Sequence, residues 1–143
     1  MGTERLNKLV LAAVTVLVAG CTYSSRAIDE QTLEARNNLK DYALVSCLIA
    51  VDPDSKLAED LKATKRSLSF MGNGNYKVIQ DEETFEMVND PYNDTVRFLM
   101  SEATRSIGYM KDGSSSRTYG CFKAAQSEVF EKFIARQDEF IDG

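Results

Sequence analysis

The sequence predicts an all-α domain, a compact bundle of about four to five helices closed by one disulfide bond. Two observations carry this prediction. Apolar residues recur every three to four positions over several long stretches, which is the spacing that places them on one face of a helix. The chain of 143 residues also contains three cysteines, two of which, Cys47 and Cys121, fall within the predicted helices. About 120 residues remain after an N-terminal signal, which is enough for one domain.

Residues 1–20 have the organisation of an export signal. Arg5 and Lys8 give a short positive start, and residues 9–18 are all apolar except for one threonine. This length suits a signal-peptide core, whereas a membrane span needs about 20 apolar residues. The sequence VAGC, which ends at Cys21, resembles the lipobox of bacterial lipoproteins. The resemblance implies cleavage before Cys21 and its lipidation; an ordinary signal peptide with a cysteine at its cleavage site is the alternative.

Lipidation would determine the compartment of the protein and therefore whether its other two cysteines form a disulfide bond. Two or more acyl chains make a stable anchor, and Cys21 is followed by Thr22 instead of the aspartate that retains such lipoproteins in the inner membrane. We therefore expect a periplasmic protein on the inner leaflet of the outer membrane, with residues 21–30 as a flexible tether and 31–143 as the folded domain. In an oxidising compartment Cys47 and Cys121 are expected to pair. Two buried free thiols are the alternative.

The first predicted helix follows the tether and runs to about Val51. It is apolar nearly all round in its second half, which is typical of a central, buried helix. Asp52 is the predicted N-cap of the second helix, with Pro53 at its first position. Residues 72–74 (GNG) are expected to end that helix with left-handed conformers. The predicted buried stripe of the second helix comprises Leu57, Leu61, Thr64, Leu68 and Met71.

The second half of the chain predicts further helices. Residues 75–80 are expected to form an extended piece or a loop. A third helical stretch is predicted to open at the acidic residues 81–83. Its predicted buried stripe comprises Phe85, Val88, Tyr92, Val96, Leu99, Ala103 and Ile107. At Asp90-Pro91 the helix either kinks or restarts with Asp90 as N-cap, and we favour two segments on one line. The last helix is predicted from about residue 119 to 140. Its predicted core face comprises Phe122, Ala125, Val129, Phe130, Phe133 and Ile134.

The composition argues against an enzyme. The chain contains no histidine, which removes Ser-His-Asp and Cys-His arrangements and the imidazole ligands of an ordinary zinc site. Removal of residues 1–20 takes away two basic residues and one acidic residue, which moves the net charge from −5 to −6. This charge argues against nucleic-acid binding. We expect no catalytic residue, no metal site and no cofactor, and membrane contact through the lipid anchor alone.

Two short segments centred on the cysteines resemble a known family. Residues 39–50 (LKDYALVSCLIA) place a charged and aromatic opening before an apolar helix with a cysteine, and residues 119–123 (YGCFK) place a cysteine at the start of the last helix. Together they resemble the immunity proteins of type VI secretion amidases, over about residues 36–137. The resemblance implies a periplasmic protein that binds and occludes the active-site cleft of a cysteine-dependent peptidoglycan amidase effector. Such a protein would protect the producing cell from the amidase that sibling cells inject. The family also implies a possible homodimer.

The polar residues 111–119 are the predicted partner-binding element. They connect the third helical stretch to the last helix, and their glycine and serines allow the chain to approach a partner closely. Arginine and tyrosine are residue types that often anchor an interface. The candidate contact residues are Asp112, Ser114, Ser115, Ser116, Arg117 and Tyr119. A flexible connector is the alternative interpretation of this stretch.

Two further functions agree with the sequence. An envelope lipoprotein could act as a structural adaptor, which an apolar groove along Phe130, Phe133 and Phe140 would favour. The chain could also inhibit another wall-degrading enzyme, such as a host lysozyme, because an acidic protein is steered towards a basic one.

Overall fold

The computed structural model describes residues 28–142, so the signal peptide 1–20, the lipidation of Cys21 and the tether as far as residue 27 lie outside the described residues. The described residues confirm the all-α class, with five α-helices and two very short hairpins. None of these helices is long and apolar enough to cross a membrane. The elements in chain order are α1 (Glu30–Val51), α2 (Lys56–Ser67), β1 (Ile79–Gln80), β2 (Met87–Asn89), α3 (Pro91–Arg105), β3 (Gly108–Tyr109), β4 (Ser115–Ser116), α4 (Arg117–Ala125), α5 (Glu128–Ala135) and a 3-10 helix (Asp138–Phe140).

Helix α1 is central and contacts the other four α-helices. The carboxylate of Asp29 caps its start, accepting a hydrogen bond from the Thr32 amide at 2.8 Å, and its end at Val51 agrees with the prediction. Val45 and Ile49 are half-buried, so the second half is less enclosed than its apolar composition predicts. The buried face of α1 comprises Ala35, Leu39, Tyr42, Ala43, Ser46 and Cys47.

Helix α2 begins later than predicted. Its N-cap is Ser55, whose Oγ accepts a hydrogen bond from the Ala58 amide at 3.1 Å. Asp52 and Pro53 lie in the preceding turn, so their predicted roles as N-cap and first helical residue are wrong. Serine caps a helix as well as aspartate does, and the cap at Ser55 leaves room for the turn that reverses the chain after α1.

The predicted buried stripe of α2 is wrong at three of its five residues, because Thr64 is exposed as well as the residues at both ends. Leu57 is 65% exposed and Met71, which follows the end of the helix, is 76% exposed. Gly72 and Gly74 do not adopt left-handed conformers. They are required by close approach instead: a Cβ on Gly72 would lie 2.3 Å from the backbone oxygen of Ser67, and one on Gly74 would lie 2.2 Å from the hydroxyl of Tyr92.

The third helical stretch begins ten residues later than its predicted opening, at Pro91. Residues 79–89 instead form a hairpin of β1 and β2, with Ile79 opposite Asn89, so Phe85 and Val88 are exposed and their predicted burial is wrong. Asp90 is the N-cap of α3 and Pro91 its first residue, as predicted, but no helix directly precedes them, so the favoured arrangement of two helical segments on one line is wrong. Tyr92, Leu99 and Ala103 of the predicted stripe are buried.

The predicted last helix is divided into α4, α5 and the 3-10 helix. The division occurs at Ser127, whose Oγ accepts a hydrogen bond from the Phe130 amide at 3.2 Å and thereby caps a new helix. The chain turns at this cap, and Phe122 and Val129 of the predicted core face are exposed. Phe130 and Ile134 are fully buried, as predicted.

The predicted disulfide joins Cys47 of α1 to Cys121 of α4, with Cα atoms 5.9 Å apart. Both cysteines are buried within the core. Near the bond, α4 crosses α3 closely: a Cβ on Gly120 would lie 2.5 Å from the backbone oxygen of Ala103. The start of α4 is therefore fixed against both α1 and α3.

Candidate partner-binding surface

The predicted partner-binding element is a β-hairpin that leads into α4. Strand β3 pairs with β4 so that Tyr109 lies opposite Ser115. In the turn, the Met110 amide donates to the Ser114 oxygen at 2.8 Å and the Gly113 amide to the Met110 oxygen at 3.0 Å. Gly113 has a φ of +84°, which glycine adopts without strain. We call residues 107–119 the 107–119 hairpin; its backbone is hydrogen-bonded and does not form an irregular connector.

Asp112 and Ser114 hold the turn together. The Asp112 carboxylate accepts hydrogen bonds from the Ser114 amide at 2.9 Å and from the Ser114 hydroxyl at 2.7 Å. These bonds favour the charged form, and they lower the pKa of the Asp112 carboxyl below its ordinary value of 3.8. Both residues are exposed, so a partner can contact them while they maintain the shape of the hairpin.

The order of this turn is expected to depend on pH in the acid range. Because the pKa of Asp112 is lowered on folding, its contribution is complete above the ordinary pKa of the carboxyl and is lost as the pH falls through the lowered value. An NMR titration should show the Ser114 amide resonance moving with the Asp112 carboxyl below about pH 4. The variant Asp112→Asn should remove that step, and a Ser114 amide that titrates equally in both proteins would contradict the assignment.

Ser116 and Arg117 fix the base of the hairpin. The Ser116 hydroxyl accepts a hydrogen bond from the Tyr119 amide at 3.1 Å and caps α4. The Arg117 guanidinium donates to the backbone oxygens of Ala50 at 3.1 Å and Val51 at 3.4 Å. These carbonyls end α1, which has no basic residue in its own last turn. Arg117 therefore supplies positive charge where the helix dipole favours it.

Replacement of Arg117 should loosen this attachment. We expect Arg117→Gln to lower the free energy of unfolding by about 1 kcal/mol, because two carbonyls at the C-terminus of α1 lose a charged donor. Chemical denaturation measures the effect. Lys111→Gln is the matched control, since Lys111 is an exposed cation of the same hairpin and should change stability by less than about 0.5 kcal/mol. Equal effects of the two substitutions would contradict a bracing role.

Three large side chains of the hairpin are exposed. Tyr109 is 80% exposed, and Met110 and Tyr119 are exposed beside it. Together with Ile107 and Lys111 they line an open groove of about 640 Å³. The ring of Tyr119 packs on Gly108, where a Cβ would lie 2.8 Å from it. The hairpin therefore combines a small polar turn with an aromatic and apolar flank.

The sequence pattern predicts Tyr119 as a contact residue but not Tyr109 or Met110. It extends the buried stripe of the third helix to Ile107 and begins the polar element at Lys111, so these two residues belong to neither. The available signal was the run of Ile, Gly, Tyr and Met at 107–110, in which a glycine interrupts the helical pattern next to two large side chains. Ser115 is exposed on β4, opposite Tyr109.

The apolar groove that would favour an adaptor function does not form in the described part of the chain. Phe130 is fully buried. Phe133 stacks on Phe98 with ring centroids 4.2 Å apart, and Phe140 packs against the core. Because Phe130 is inaccessible, it does not line a surface groove with the other two rings.

Residues 28–142 contain no group of three or more His, Cys, Asp or Glu side chains that could hold a metal ion. A cavity of about 70 Å³ lies beside the disulfide, lined among others by Met100, Ala103 and Arg117. Its volume suits one or two water molecules, each of which occupies about 30 Å³ in the liquid.

No protein-family model, curated protein or solved structure matches this chain.

Proposed function

We propose that this protein is a periplasmic immunity protein that binds and occludes the active-site cleft of a type VI secreted peptidoglycan amidase. The observation that carries the proposal is the 107–119 hairpin, which presents Tyr109, Met110 and Tyr119 beside a narrow polar turn. Occlusion of a cleft requires an element of this kind, with a slender tip to enter and larger side chains to anchor it. The resemblance of residues 39–50 and 119–123 to the amidase immunity family points to the same class of partner.

The fixed base of the hairpin supports an inhibitory role. The disulfide at Cys121, the contacts of Arg117 with α1 and the close crossing at Gly120 all lie within a few residues of Tyr119. A binding element that is ordered before it meets its partner loses little conformational entropy on binding. Tight inhibition by a small protein depends on this saving more than on the area of the interface.

The width of the hairpin supports insertion into a cleft. Its two strands are spaced by about 4.8 Å, and the turn between them, residues 110–114, contains Gly113 and Ser114, which have small side chains. Such a tip can approach the backbone of a groove closely. Tyr109 and Tyr119 stand behind it and would contact the rim of the groove.

Charge and lipidation support the proposed compartment and partner. A net charge of −6 after removal of residues 1–20 would steer the protein towards a basic cleft rim and raise the association rate. Lipidation of Cys21 would hold the protein on the periplasmic face of the outer membrane, between the cell wall and an incoming amidase.

A rescue experiment tests the proposal. The amidase encoded nearest to this chain's gene is directed to the periplasm of a naive bacterium, with or without the full chain. We expect the chain to prevent lysis and to co-purify with the amidase as a stable complex. A catalytically inactive amidase is the control for toxicity, and a chain without the signal residues 1–20 is the control for compartment. Equal lysis in the presence and absence of the full chain, with no complex, would contradict the proposal.

A further inference from the structure

The hairpin of β1 and β2 presents a second apolar surface. We call residues 79–90 the acidic hairpin. Phe85 is 72% exposed and Val88 is 66% exposed, and Ile79 and Met87 are exposed between them. Exposed apolar residues that are scattered singly are normal, whereas a contiguous group of them marks an interaction site.

Two open grooves extend this surface on either side of β2. One, of about 380 Å³, is lined by Phe70, Val78 and Met87 among others. The other, of about 600 Å³, includes Met87, Val88 and Val96. Met87 of β2 contributes to the lining of both grooves.

The charge around the apolar residues selects the kind of partner. The acidic hairpin contains five acidic residues and no lysine or arginine, and none of the five forms an ion pair within the described part of the chain. Uncompensated negative charge opposes an anionic lipid surface and a second copy of this acidic chain. It favours a protein with basic side chains around an apolar pocket.

We propose that the acidic hairpin is a second docking surface, which binds a basic protein and places Phe85 in an apolar pocket of that partner. It lies at the N-terminal end of α3, whereas the 107–119 hairpin follows the C-terminal end of the same helix. The 15 residues of α3 separate the two ends by about 22 Å. The two surfaces therefore do not overlap, and this proposal does not depend on the partner of the 107–119 hairpin.

Site-specific photocrosslinking in the producing bacterium tests the proposal with the full chain. The variant Phe85→p-benzoylphenylalanine carries the crosslinker, and the same substitution at Leu57 is the control. Leu57 is 65% exposed and follows the C-terminus of α1, at the other end of the domain. We expect one discrete adduct from position 85, with a protein of basic isoelectric point, and none from position 57.

Charge variants show whether that adduct depends on the acidic hairpin. Glu82→Gln, Glu83→Gln and Glu86→Gln together should reduce the yield at least tenfold, and high salt should reduce it likewise. Asp54→Asn, Glu59→Gln and Asp60→Asn, which remove the same charge near Leu57, should leave it unchanged. The proposal is overturned by the absence of an adduct from position 85. It is also overturned by an adduct with lipid, with a second copy or with an acidic protein, or by equal yields from the two charge variants.

Discussion

The double variant Cys47→Ala/Cys121→Ala is expected to lose about 4 kcal/mol of unfolding free energy relative to the oxidised protein. The bond joins residues separated by 74 positions, and cross-linking so long a segment restricts the unfolded chain strongly. Domains of this size have a total stability of about 5–15 kcal/mol, so the loss would be a large share. Chemical denaturation of both proteins under the same conditions measures it.

Reduction of the wild-type protein is the matched control. With a strong reductant, its denaturation midpoint should approach that of the double variant, because both then lack the cross-link. The double substitution is preferable to either single one, since a single substitution leaves a free thiol in the core. Coincident denaturation curves for the oxidised protein and the double variant would show that the bond does not stabilise the domain.

The variant Tyr109→Ala is expected to weaken binding of the amidase at least about 30-fold, since an aromatic anchor at the centre of an interface is worth about 2–4 kcal/mol. Its own stability should change by less than about 0.5 kcal/mol, because the side chain is 80% exposed. Isothermal titration with the purified amidase measures the affinity, and thermal denaturation verifies the fold.

Leu33→Ala is the matched control for Tyr109→Ala. Leu33 is 51% exposed and lies in the first turn of α1, whereas Arg117 contacts the last turn of that helix. The 18 residues from Leu33 to Val51 correspond to about 27 Å. If both variants bound the amidase as the wild type does, the 107–119 hairpin would not be the contact element.

Much of the helical architecture could be predicted because its signals are local. The extent of α1 followed from its apolar pattern, and the start of α3 followed from Asp90-Pro91, where the side-chain oxygen caps and the proline is pre-set for a first turn. The disulfide followed from the number of cysteines and the expected compartment. These features depend on residues that are neighbours in the chain, or on a single pair.

The acidic hairpin could not be predicted because acidic side chains serve either a helix or a turn. Asp81 accepts hydrogen bonds from the amides of Glu83 at 2.9 Å and Thr84 at 2.7 Å, which would equally suit a helix N-cap. The Asp81 amide, however, donates to the Glu86 oxygen at 2.9 Å and closes a turn. Phe85 adopts a φ of +58° in that turn, a conformation that a helix does not contain.

The sequence predicts where the candidate site lies more accurately than it predicts the roles of the individual residues. The sequence placed it at residues 111–119, within the 107–119 hairpin. It did not assign Arg117 to the end of α1, a contact between residues 67 positions apart, nor Ser116 to the cap of α4. Such contacts depend on how helices pack, which the periodicity of a single helix does not determine.

Protection of the amidase's catalytic cysteine tests the central proposal most directly. The purified amidase is treated with a thiol-alkylating reagent, alone and with a saturating amount of this protein, and the rate of alkylation is followed by mass spectrometry. Occlusion of the cleft predicts that alkylation slows by at least tenfold at a one-to-one ratio and that Tyr109→Ala restores the original rate. An unchanged alkylation rate in a complex that demonstrably forms would contradict occlusion of the active site.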